Sequence, residues 1–456
     1  MRRPARIALC MLVLAAPAAA QQDTTRLPPG VMLETRYSKA GRQVMAVRPF
    51  DAPAPQGDIA RQVSEIIRND LTLSDRFIVM RVPVELAVAG PVDYRSWNGL
   101  NVVWLVTGEL RTAGSGFQID IVLHDVVYGT TRQTRTFTLP DAAARDFRLA
   151  VHVAADEIVT WVTNQPGMAA TRIAFVRQNG SGSYDVMLVD SDGENLRRIS
   201  GSPGLIYSPT WSPDGTKLAY TVKDENGWRL VERDMATGAT HVVHRTDGET
   251  QILTPTYVPG TARMAFASWA GRGLHIHEID AAQGCCIKRL TTGGGDNISP
   301  TFAADGSRFA FHSTRTGRQH IFTAAADGGG AVAITPFGES VEYASPDFQP
   351  TGTRVTFHGA SRGTFQIMLA DAARPGGQIQ QLTSSGRNED PGWAADGRHI
   401  VYTSQPRLGA GSASLYVIDT VTGEIRLLVS GGNGGGLRLA DWSPSLAKTL
   451  ALVPKP

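Results

Sequence analysis

The chain has 456 residues, of which 42% are hydrophobic and 19% are charged. This composition is typical of a folded globular protein, and the length exceeds that of one ordinary compact domain. The formal net charge is +2, and outside residues 1–20 the 41 basic residues nearly balance 42 acidic ones. Because proteins bind nucleic acids through basic faces, this balance argues against a nucleic-acid partner.

Residues 1–20 have the three parts of a secretory signal peptide. Arg2, Arg3 and Arg6 form a basic head, residues 7–14 form an apolar run, and small residues end at Ala20. The apolar run is shorter than the roughly 20 residues that cross a bilayer, and no other stretch approaches that length. We therefore expect an exported chain that is cleaved near Ala20 and has no membrane span. A flexible N-terminal arm is expected over residues 21–41.

Residues 42–165 predict a small α/β domain, because strand and helix patterns follow one another along this stretch. The expected strands cover residues 42–50, 77–82, 102–110, 117–126 and 132–139. Apolar residues recur at helical spacing over residues 58–73, where Asp58 is placed to cap a helix. A second helix is expected to begin at Pro140-Asp141.

A phrase of the form Pro-x-aromatic returns every 45 or 46 residues in the second half of the chain, with a last step of 49. Several copies continue into Asp-Gly, whose glycine permits the positive φ of a tight turn. A fixed period of this size indicates one repeated supersecondary unit, and a unit of four strands is a propeller blade. The aromatic residues of the six copies are Trp211, Tyr257, Phe302, Phe348, Trp393 and Trp442. The repeat therefore predicts an all-β, six-bladed β-propeller over residues 170–456.

A second apolar strand, first seen at Arg172, recurs once more than the number of blades. Its seventh copy lies at residues 449–452. Because a propeller must bury the edges of its first and last strands, this surplus copy predicts that strands from both ends of the chain share one blade.

Motifs for catalysis and metal binding are weak. A G-x-S-x-G pattern at residues 359–363 matches the nucleophile motif of some hydrolases, but it lies at a blade turn instead of a strand-to-helix elbow. His275 and His277 share one strand face without an evident third ligand. Cys285 and Cys286 are adjacent, unlike the thiols of common redox motifs, which favours two turn residues or a vicinal disulfide. We therefore expect no enzymatic activity, no cofactor and no metal site.

The segments that precede each Pro-x-aromatic phrase differ between blades, while the phrase stays constant. In a propeller, each such segment links an outer strand to the next inner strand, so all six surround one mouth of the central channel. Variation on a constant frame is typical of a recognition surface, although ordinary loop drift would also produce it. The predicted partner-binding residues of this mouth are Tyr207, Ser208, Gln251, Thr254, Asp296, Asn297, Ser299, Glu342, Tyr343, Asn388, Glu389 and Asp390.

Two other functions stay open on the residues alone. An exported propeller enzyme or a glycan-binding module would place its site in the central channel, where it would need several inward-pointing acidic or histidine side chains. A sensor or scaffold with an unrelated partner would share the same fold.

The order of these parts resembles the TolB family. Residues 172–177 (RIAFVR), 208–220 (SPTWSPDGTKLAY) and 441–446 (DWSPSL) are close to phrases of that family. Residues 47–50 (VRPF) look like the first strand of its N-terminal domain. The resemblance covers nearly the whole chain after the signal peptide.

The resemblance implies a periplasmic, non-enzymatic adaptor of the Tol-Pal envelope system that supports outer-membrane integrity and constriction at cell division. The propeller mouth would dock the outer-membrane lipoprotein Pal, and the N-terminal arm would contact the inner-membrane protein TolA. On the arm, the implied contact residues are Met32, Leu33, Glu34 and Tyr37. The protein is expected to act as a monomer.

Overall fold

The computed structural model describes the chain between residues 31 and 450, with internal gaps. The described residues are 31–33, 41–179, 182–202, 204–246, 248, 250–337, 342–361, 363–405, 412–432 and 435–450. The predicted signal peptide and most of the predicted arm lie outside this part of the chain.

An α/β domain follows the short strand β1 (Val31–Leu33). Its elements are β2 (Gln43–Val47), α1 (Gly57–Leu73), β3 (Phe77–Met80), α2 (Tyr94–Gly99), β4 (Trp104–Ala113), β5 (Gly116–Asp125), β6 (Thr130–Leu139) and α3 (Phe147–Thr163), with a 3-10 turn at Val84–Leu86. The sheet order is β3-β2-β4-β5-β6, with β2 parallel to both of its neighbours. Helices α1 and α3 contribute Ile67, Leu71, Val151 and Ile158 to one buried cluster with the sheet.

Both long helices begin differently from the prediction. Asp58 does not cap α1: its carboxylate is exposed in the first turn and bonds to Arg61. Helix α3 begins at Phe147, not at Pro140-Asp141, because the Asp141 carboxylate accepts a hydrogen bond from the Ala143 N–H (2.9 Å) and closes a turn instead.

Six four-stranded blades make up the rest of the chain and confirm the predicted fold class. Blade 1 contains β7 (Arg172–Gln178), β8 (Tyr184–Asp190) and β9 (Arg197–Ser202), together with the last strand of the chain, β30 (Leu437–Trp442). Blade 2 contains β10 (Leu205–Trp211), β11 (Lys217–Asp224), β12 (Gly227–Asp234) and β13 (Thr240–Thr246). Blade 3 contains β14 (Ile252–Tyr257), β15 (Arg263–Ala270), β16 (Gly273–Asp280) and β17 (Cys285–Arg289).

The remaining three blades follow the same up-and-down order. Blade 4 contains β18 (Asn297–Phe302), β19 (Arg308–Ser313), β20 (His320–Ala325) and β21 (Val332–Ala333). Blade 5 contains β22 (Tyr343–Phe348), β23 (Arg354–Ser361), β24 (Thr364–Asp371) and β25 (Ile379–Gln381). Blade 6 contains β26 (Arg387–Trp393), β27 (His399–Gln405), β28 (Ser414–Asp419) and β29 (Ile425–Val429).

The ring closes within blade 1, where β30 pairs antiparallel with β7. Strands from the two ends of the propeller therefore share one blade, as predicted. The closing strand is not the seventh repeat copy, however. Ala447–Thr449 forms a 3-10 turn, Leu450 is buried in the core of the α/β domain, and residues 451 and 452 lie outside the described chain.

Strand β1 adds a fifth strand to the outer edge of blade 5. Val31, Met32 and Leu33 pair in parallel with Ile379–Gln381. No helix in the described residues is long and apolar enough to cross a membrane.

Candidate functional site: the propeller channel and its mouth

The innermost strand of every blade bends at the residue before its proline or the equivalent position. The backbone there has a positive φ without being glycine, and the pairing register with the next strand shifts. The φ values are 46° for Ser208, 46° for Thr254, 55° for Ser299, 50° for Ser345, 50° for Asp390 and 55° for Leu439. Six equivalent strained bulges therefore ring the channel at one level.

The bulges correct one detail of the prediction. Segments expected to be mouth loops belong in large part to the innermost strands. Tyr207 and Ser208 lie in β10, for example, and Asn388 and Asp390 lie in β26.

The six bulges enclose a small polar cavity at the centre of the ring. Its volume is about 130 Å³, which is below the roughly 300 Å³ of the smallest usual ligand pockets. Its lining is Ser208, Pro209, Thr210, Thr254, Pro255, Thr256, Ser299, Pro300, Thr301, Ser345, Pro346, Asp347, Asp390, Pro391, Gly392, Leu439, Ala440 and Asp441. Four of the predicted mouth residues therefore line the cavity: Ser208, Thr254, Ser299 and Asp390.

Two carboxylates in this cavity were missed by the sequence analysis. Asp347 accepts hydrogen bonds from the Thr301 hydroxyl (2.9 Å) and the Trp393 N–H (2.7 Å). Asp441 accepts a hydrogen bond from the Trp211 N–H (2.7 Å). A signal was present in the repeat, because aspartate replaces the threonine found in other copies at this position.

Burial sets the protonation of both carboxylates. It raises the pKa of Asp347 to about 6, although three hydrogen bonds to the carboxylate oppose the effect. Burial, reinforced by the nearby charge of Asp347, raises the pKa of Asp441 to about 8. Each carboxylate accepts a hydrogen bond from a backbone N–H in the Pro-x-aromatic phrase of the next blade. Both groups therefore join neighbouring blades together.

Several of the predicted mouth residues are held in place by short polar contacts. The Glu389 carboxylate pairs with Arg387 at 2.7 Å, and Glu342 lies 3.6 Å from Arg318. Asp296 accepts a hydrogen bond from the Leu274 N–H at 2.9 Å. Gln251 is exposed.

Four other predicted residues build the wall behind the mouth. Asn297, Tyr343 and Asn388 are buried, and the Asn388 amide donates to Gln366 Oε1 at 2.9 Å. Tyr207 is only partly exposed and stacks between Tyr184 and Trp228, with ring centroids 6.5 and 5.9 Å away. The three buried side chains position the rim and are not free to contact a docked protein.

Two exposed aromatic side chains lie at the same end of the propeller as the mouth and were not predicted. Trp269, 53% exposed, is the second-last residue of β15 and lies beside the first residues of β14. Phe337, 63% exposed, contacts the His320 ring at 4.8 Å, next to the turn before β20. Neither position belongs to the repeated phrase, so the repeat gave no signal for them.

The motifs considered for catalysis have structural partners. The Ser361 hydroxyl donates to Gln381 Oε1 at 3.1 Å. His275 is hydrogen-bonded to Arg289 and lies beside Asn297. Cys285 and Cys286 are both free thiols at the start of β17. On the arm, Met32 and Leu33 lie in β1, whereas Glu34 and Tyr37 fall outside the described residues.

The fold and the channel together define a class of protein. An α/β domain is joined to a six-bladed propeller whose narrow channel opens at a rim of aromatic and charged side chains. The TolB amino-terminal domain model matches residues 34–132, and the TolB beta propeller domain model matches residues 159–446. Because these matches cover more than half of the chain, the chain belongs to the TolB family.

Relatives and solved structures agree with this assignment. The Tol-Pal system protein TolB of Methylococcus capsulatus is 34% identical over 213 residues, which are 45% of this chain and 48% of that protein. The protein of the same name from Haemophilus influenzae is 32% identical over 218 residues, 46% and 49% of the two chains. The matched region spans about half the length of these curated relatives.

A crystal structure of TolB from Acinetobacter baumannii has the same fold. It superposes with a TM-score of 0.76, covers 88% of this chain and 97% of that chain, and is 23% identical.

Proposed function

We propose that this protein is a periplasmic, non-enzymatic adaptor of the Tol-Pal system. Its propeller mouth docks a Pal-like lipoprotein, and its N-terminal arm contacts a TolA-like protein, so that a monomer links the two membranes and supports outer-membrane integrity and constriction at division. The observation that carries the proposal is the mouth itself. Exposed Trp269 and Phe337 lie at the same end of the propeller as a channel cavity of about 130 Å³, which is smaller than the pockets that usually hold small ligands.

Exposed aromatic side chains beside charged groups are the usual anchors of protein interfaces. Tryptophan buries a large area at little cost in conformational entropy, and binding energy concentrates on such residues. At the same end of the propeller, the pairs Glu389–Arg387 and Glu342–Arg318 supply charged groups that are already oriented. The relatives named Tol-Pal system protein and the signal-like residues 1–20 support the choice of partner and compartment.

The arm is suited to strand exchange. Its residues Val31–Leu33 are paired as an extra strand at the edge of blade 5. An edge strand whose described pairing is three residues long can be released and add to the sheet edge of another protein. This supports the arm as the second docking element.

The channel carboxylates do not favour the alternative of an enzyme or a glycan-binding module. Raised pKa values are a mark of catalytic acids. Here, however, carboxylate oxygens of Asp347 and Asp441 accept hydrogen bonds from backbone N–H groups of the neighbouring blade, inside a cavity of about 130 Å³. A substrate would have to displace these bonds before it could meet the acids.

The test is calorimetric binding of the mature protein to the periplasmic domain of the Pal-type lipoprotein from the same organism. We expect Trp269→Ala and Phe337→Ala each to weaken binding about tenfold or more, because each removes a large apolar anchor. Ile287→Ala is the matched control, since Ile287 is 47% exposed but lies on the outer strand β17.

Each outcome decides a different part of the proposal. Binding that the two mouth variants leave unchanged would place the docking surface elsewhere. No binding by the folded wild-type protein would remove Pal as the partner. Binding of a glycan fragment that Asp347→Asn abolishes would favour the channel alternative.

A further inference from the structure

Two buried histidines lie at the boundary between the α/β domain and the propeller. His152 belongs to α3 of the α/β domain, and His399 begins β27 of blade 6. Both side chains are 0% exposed. Neither has a place in the docking mouth or in the channel.

His152 is held by a carboxylate of its own domain and faces a carboxylate of the other. Its Nδ1 lies 2.7 Å from Asp70 Oδ2 on α1. Its Nε2 points toward Asp192 Oδ2, 4.0 Å away in the turn after β8 of blade 1. Arg148, also on α3, reaches across the boundary to the same Asp192 carboxylate.

His399 repeats this arrangement in the opposite direction. Its Nδ1 lies 2.8 Å from Asp396 Oδ2 of its own blade. Its Nε2 lies 3.4 Å from Asp75 Oδ2, in the turn after α1 of the α/β domain, and 3.8 Å from Asp419 Oδ2 of blade 6. Each domain therefore contributes one histidine that faces an acid of the other domain.

The geometry favours a proton on each Nε2, because each Nε2 faces a carboxylate across the domain boundary. Neither Nε2 makes a short, well-aligned hydrogen bond to any described residue. A neutral ring that gives its Nδ1–H to an aspartate would turn the Nε2 lone pair toward a second carboxylate, and two hydrogen-bond acceptors would face each other in a buried site. A protonated ring places an N–H and a positive charge between the two acids.

We propose that His152 and His399, as imidazolium ions, hold the α/β domain against the propeller, so that the seating of the two domains depends on two protons. The clamp acts between the domains and does not depend on which partner the mouth or the arm binds. It stands or falls independently of the proposed function.

The groups that face each ring agree with this assignment. Around His152 are Asp70 on α1, Arg148 and Asp156 on α3, and Asp190 and Asp192 of blade 1. Burial lowers the pKa of His152, but the charge and hydrogen bond of Asp70 and the charges of Asp192 and Asp190 outweigh it and raise the pKa to about 9.

Around His399, the acids are Asp396, Asp75 and Asp419. Burial lowers the pKa of His399, whereas the charge and hydrogen bond of Asp396 and the contacts with Asp75 and Asp419 raise it above its usual value. The basic groups beside these acids are Arg398 on Asp419, Arg76 on Asp396, and Arg42 and Arg426 on Asp75.

These arginines also decide between a proton and a metal ion. Two carboxylates and an imidazole are suitable ligands for a divalent cation. However, Arg398 already donates to both oxygens of Asp419, and Arg426 lies 3.8 Å from Asp75. A divalent cation would be repelled by these arginines, because the carboxylates beside it are already paired with them. A single proton on His399 adds only one positive charge, which the carboxylates can balance.

The pH dependence has a defined sign. Because the pKa of each histidine in the folded protein exceeds the ordinary value of about 6.5, both contribute fully below that pH. The contribution of His152 is lost as the pH rises through about 9, and that of His399, whose pKa is also raised, is lost in the same direction. We expect the wild-type protein to stay compact at pH 7. Its radius of gyration in small-angle X-ray scattering should increase between pH 7 and pH 10.

The test compares His152→Gln/His399→Gln with the wild type over this range. Glutamine can hydrogen-bond but carries no charge, so the double variant should be more extended at pH 7 and should show little further change up to pH 10. His320→Gln is the control, because His320 is buried in blade 4, bonds to Thr335 and has its pKa lowered by burial alone. It should follow the wild-type profile.

If the double variant does not fold, Asp75→Asn and Asp192→Asn remove only the acids across the boundary and should flatten the same profile. A wild-type radius that stays constant from pH 7 to pH 10 would overturn the clamp. So would a double variant that keeps the wild-type pH dependence. A rise in melting temperature on adding Zn²⁺, abolished in His399→Gln, would assign the site to a metal instead.

Discussion

At the scale of single residues, the channel shows how burial changes the role of an acid. Asp347 and Asp441 occupy a position where three other blades carry threonine, and both accept hydrogen bonds from backbone N–H groups of the next blade. Threonine makes the same bond in blade 4, where the Thr301 hydroxyl oxygen accepts from the Phe348 N–H at 3.1 Å. An aspartate adds a charge that burial disfavours, so the two acids work as polar joints between blades that prefer to be neutral.

The first prediction concerns the charge of Asp441. Because the pKa of Asp441 is raised to about 8 in the folded protein, its contribution to stability is largest at acidic pH and falls as the pH rises from about 4 through about 8. Asp441→Asn keeps an oxygen for the Trp211 N–H but cannot ionise. We expect the variant to gain stability over the wild type as the pH rises, on the order of 1 kcal/mol or more at pH 9.

Denaturant unfolding at pH 4, 6, 8 and 9 measures this difference. Asp305→Asn is a control of opposite sign, since hydrogen bonds from the Ser307 backbone and hydroxyl lower the pKa of the exposed Asp305 carboxyl. That variant should gain nothing at high pH. A constant difference between Asp441→Asn and the wild type at all four pH values would mean that Asp441 is ionised in the folded protein.

At the scale of elements, the sequence period carried most of the information about the fold. The Pro-x-aromatic phrase fixes both the number of blades and the position of each innermost strand, because proline, aromatic and turn glycine recur for one structural reason. The segments between copies of the phrase show no such period, so their conformations could not be predicted from it. The bulge at Ser208 and its equivalents extends each strand into what reads as a loop, since a positive φ in a non-glycine residue is set by packing around the channel.

The same contrast, between residues near the repeated phrase and residues on the segments between copies, explains which site residues could be predicted. Thr254 and Asp390, which come directly before the proline of the repeated phrase, line the channel cavity. Trp269 and Phe337 lie on segments of variable length, where neither period nor composition predicts exposure. Asn297, Tyr343 and Asn388 were placed at the mouth by position, but their side chains turn inward to satisfy buried polar groups and to fill the core of the blade.

The second prediction concerns the closing strand β30. Its Trp442 donates from Nε1 to the Thr171 hydroxyl at 2.7 Å, whereas Nε1 of Trp393 in blade 6 has no hydrogen-bond partner among the described residues. The two indoles are equally buried, at 5% and 4% exposure. Trp442→Phe should therefore lower the free energy of unfolding by about 1 kcal/mol more than Trp393→Phe, because only the first change removes a buried hydrogen bond.

Chemical unfolding followed by circular dichroism gives both losses in one experiment. The pair controls for the volume change, since each variant removes the same atoms from an equivalent position. Equal losses would show that the bond to Thr171 adds nothing to the closure of the ring.

At the scale of the whole molecule, each domain contributes side chains to the hydrophobic core of the other. After β30 closes the propeller, the chain continues into the α/β domain, where Leu446 and Leu450 join its buried cluster and the Leu446 N–H donates to the Ala170 carbonyl at 2.8 Å. In return, Leu73 of α1 packs against a propeller cluster that contains Met168 and Trp442. The segment that locks the ring is thus the same segment that anchors the other domain.

The third prediction follows from this exchange. Leu446→Ala removes a side chain that is 2% exposed in the core of the α/β domain, and such truncations cost about 2–5 kcal/mol. Because Leu446 also follows the closing strand directly, the loss should reach both domains. We expect one calorimetric transition for the wild type and two separated transitions for Leu446→Ala, with the α/β domain melting first.

Leu427→Ala, at a 52% exposed position on β29, should stay within about 0.5 kcal/mol of the wild type. A single, uniformly lowered transition in Leu446→Ala would mean that the remaining contacts still couple the domains, and a wild type with two transitions would mean that the shared core does not couple them.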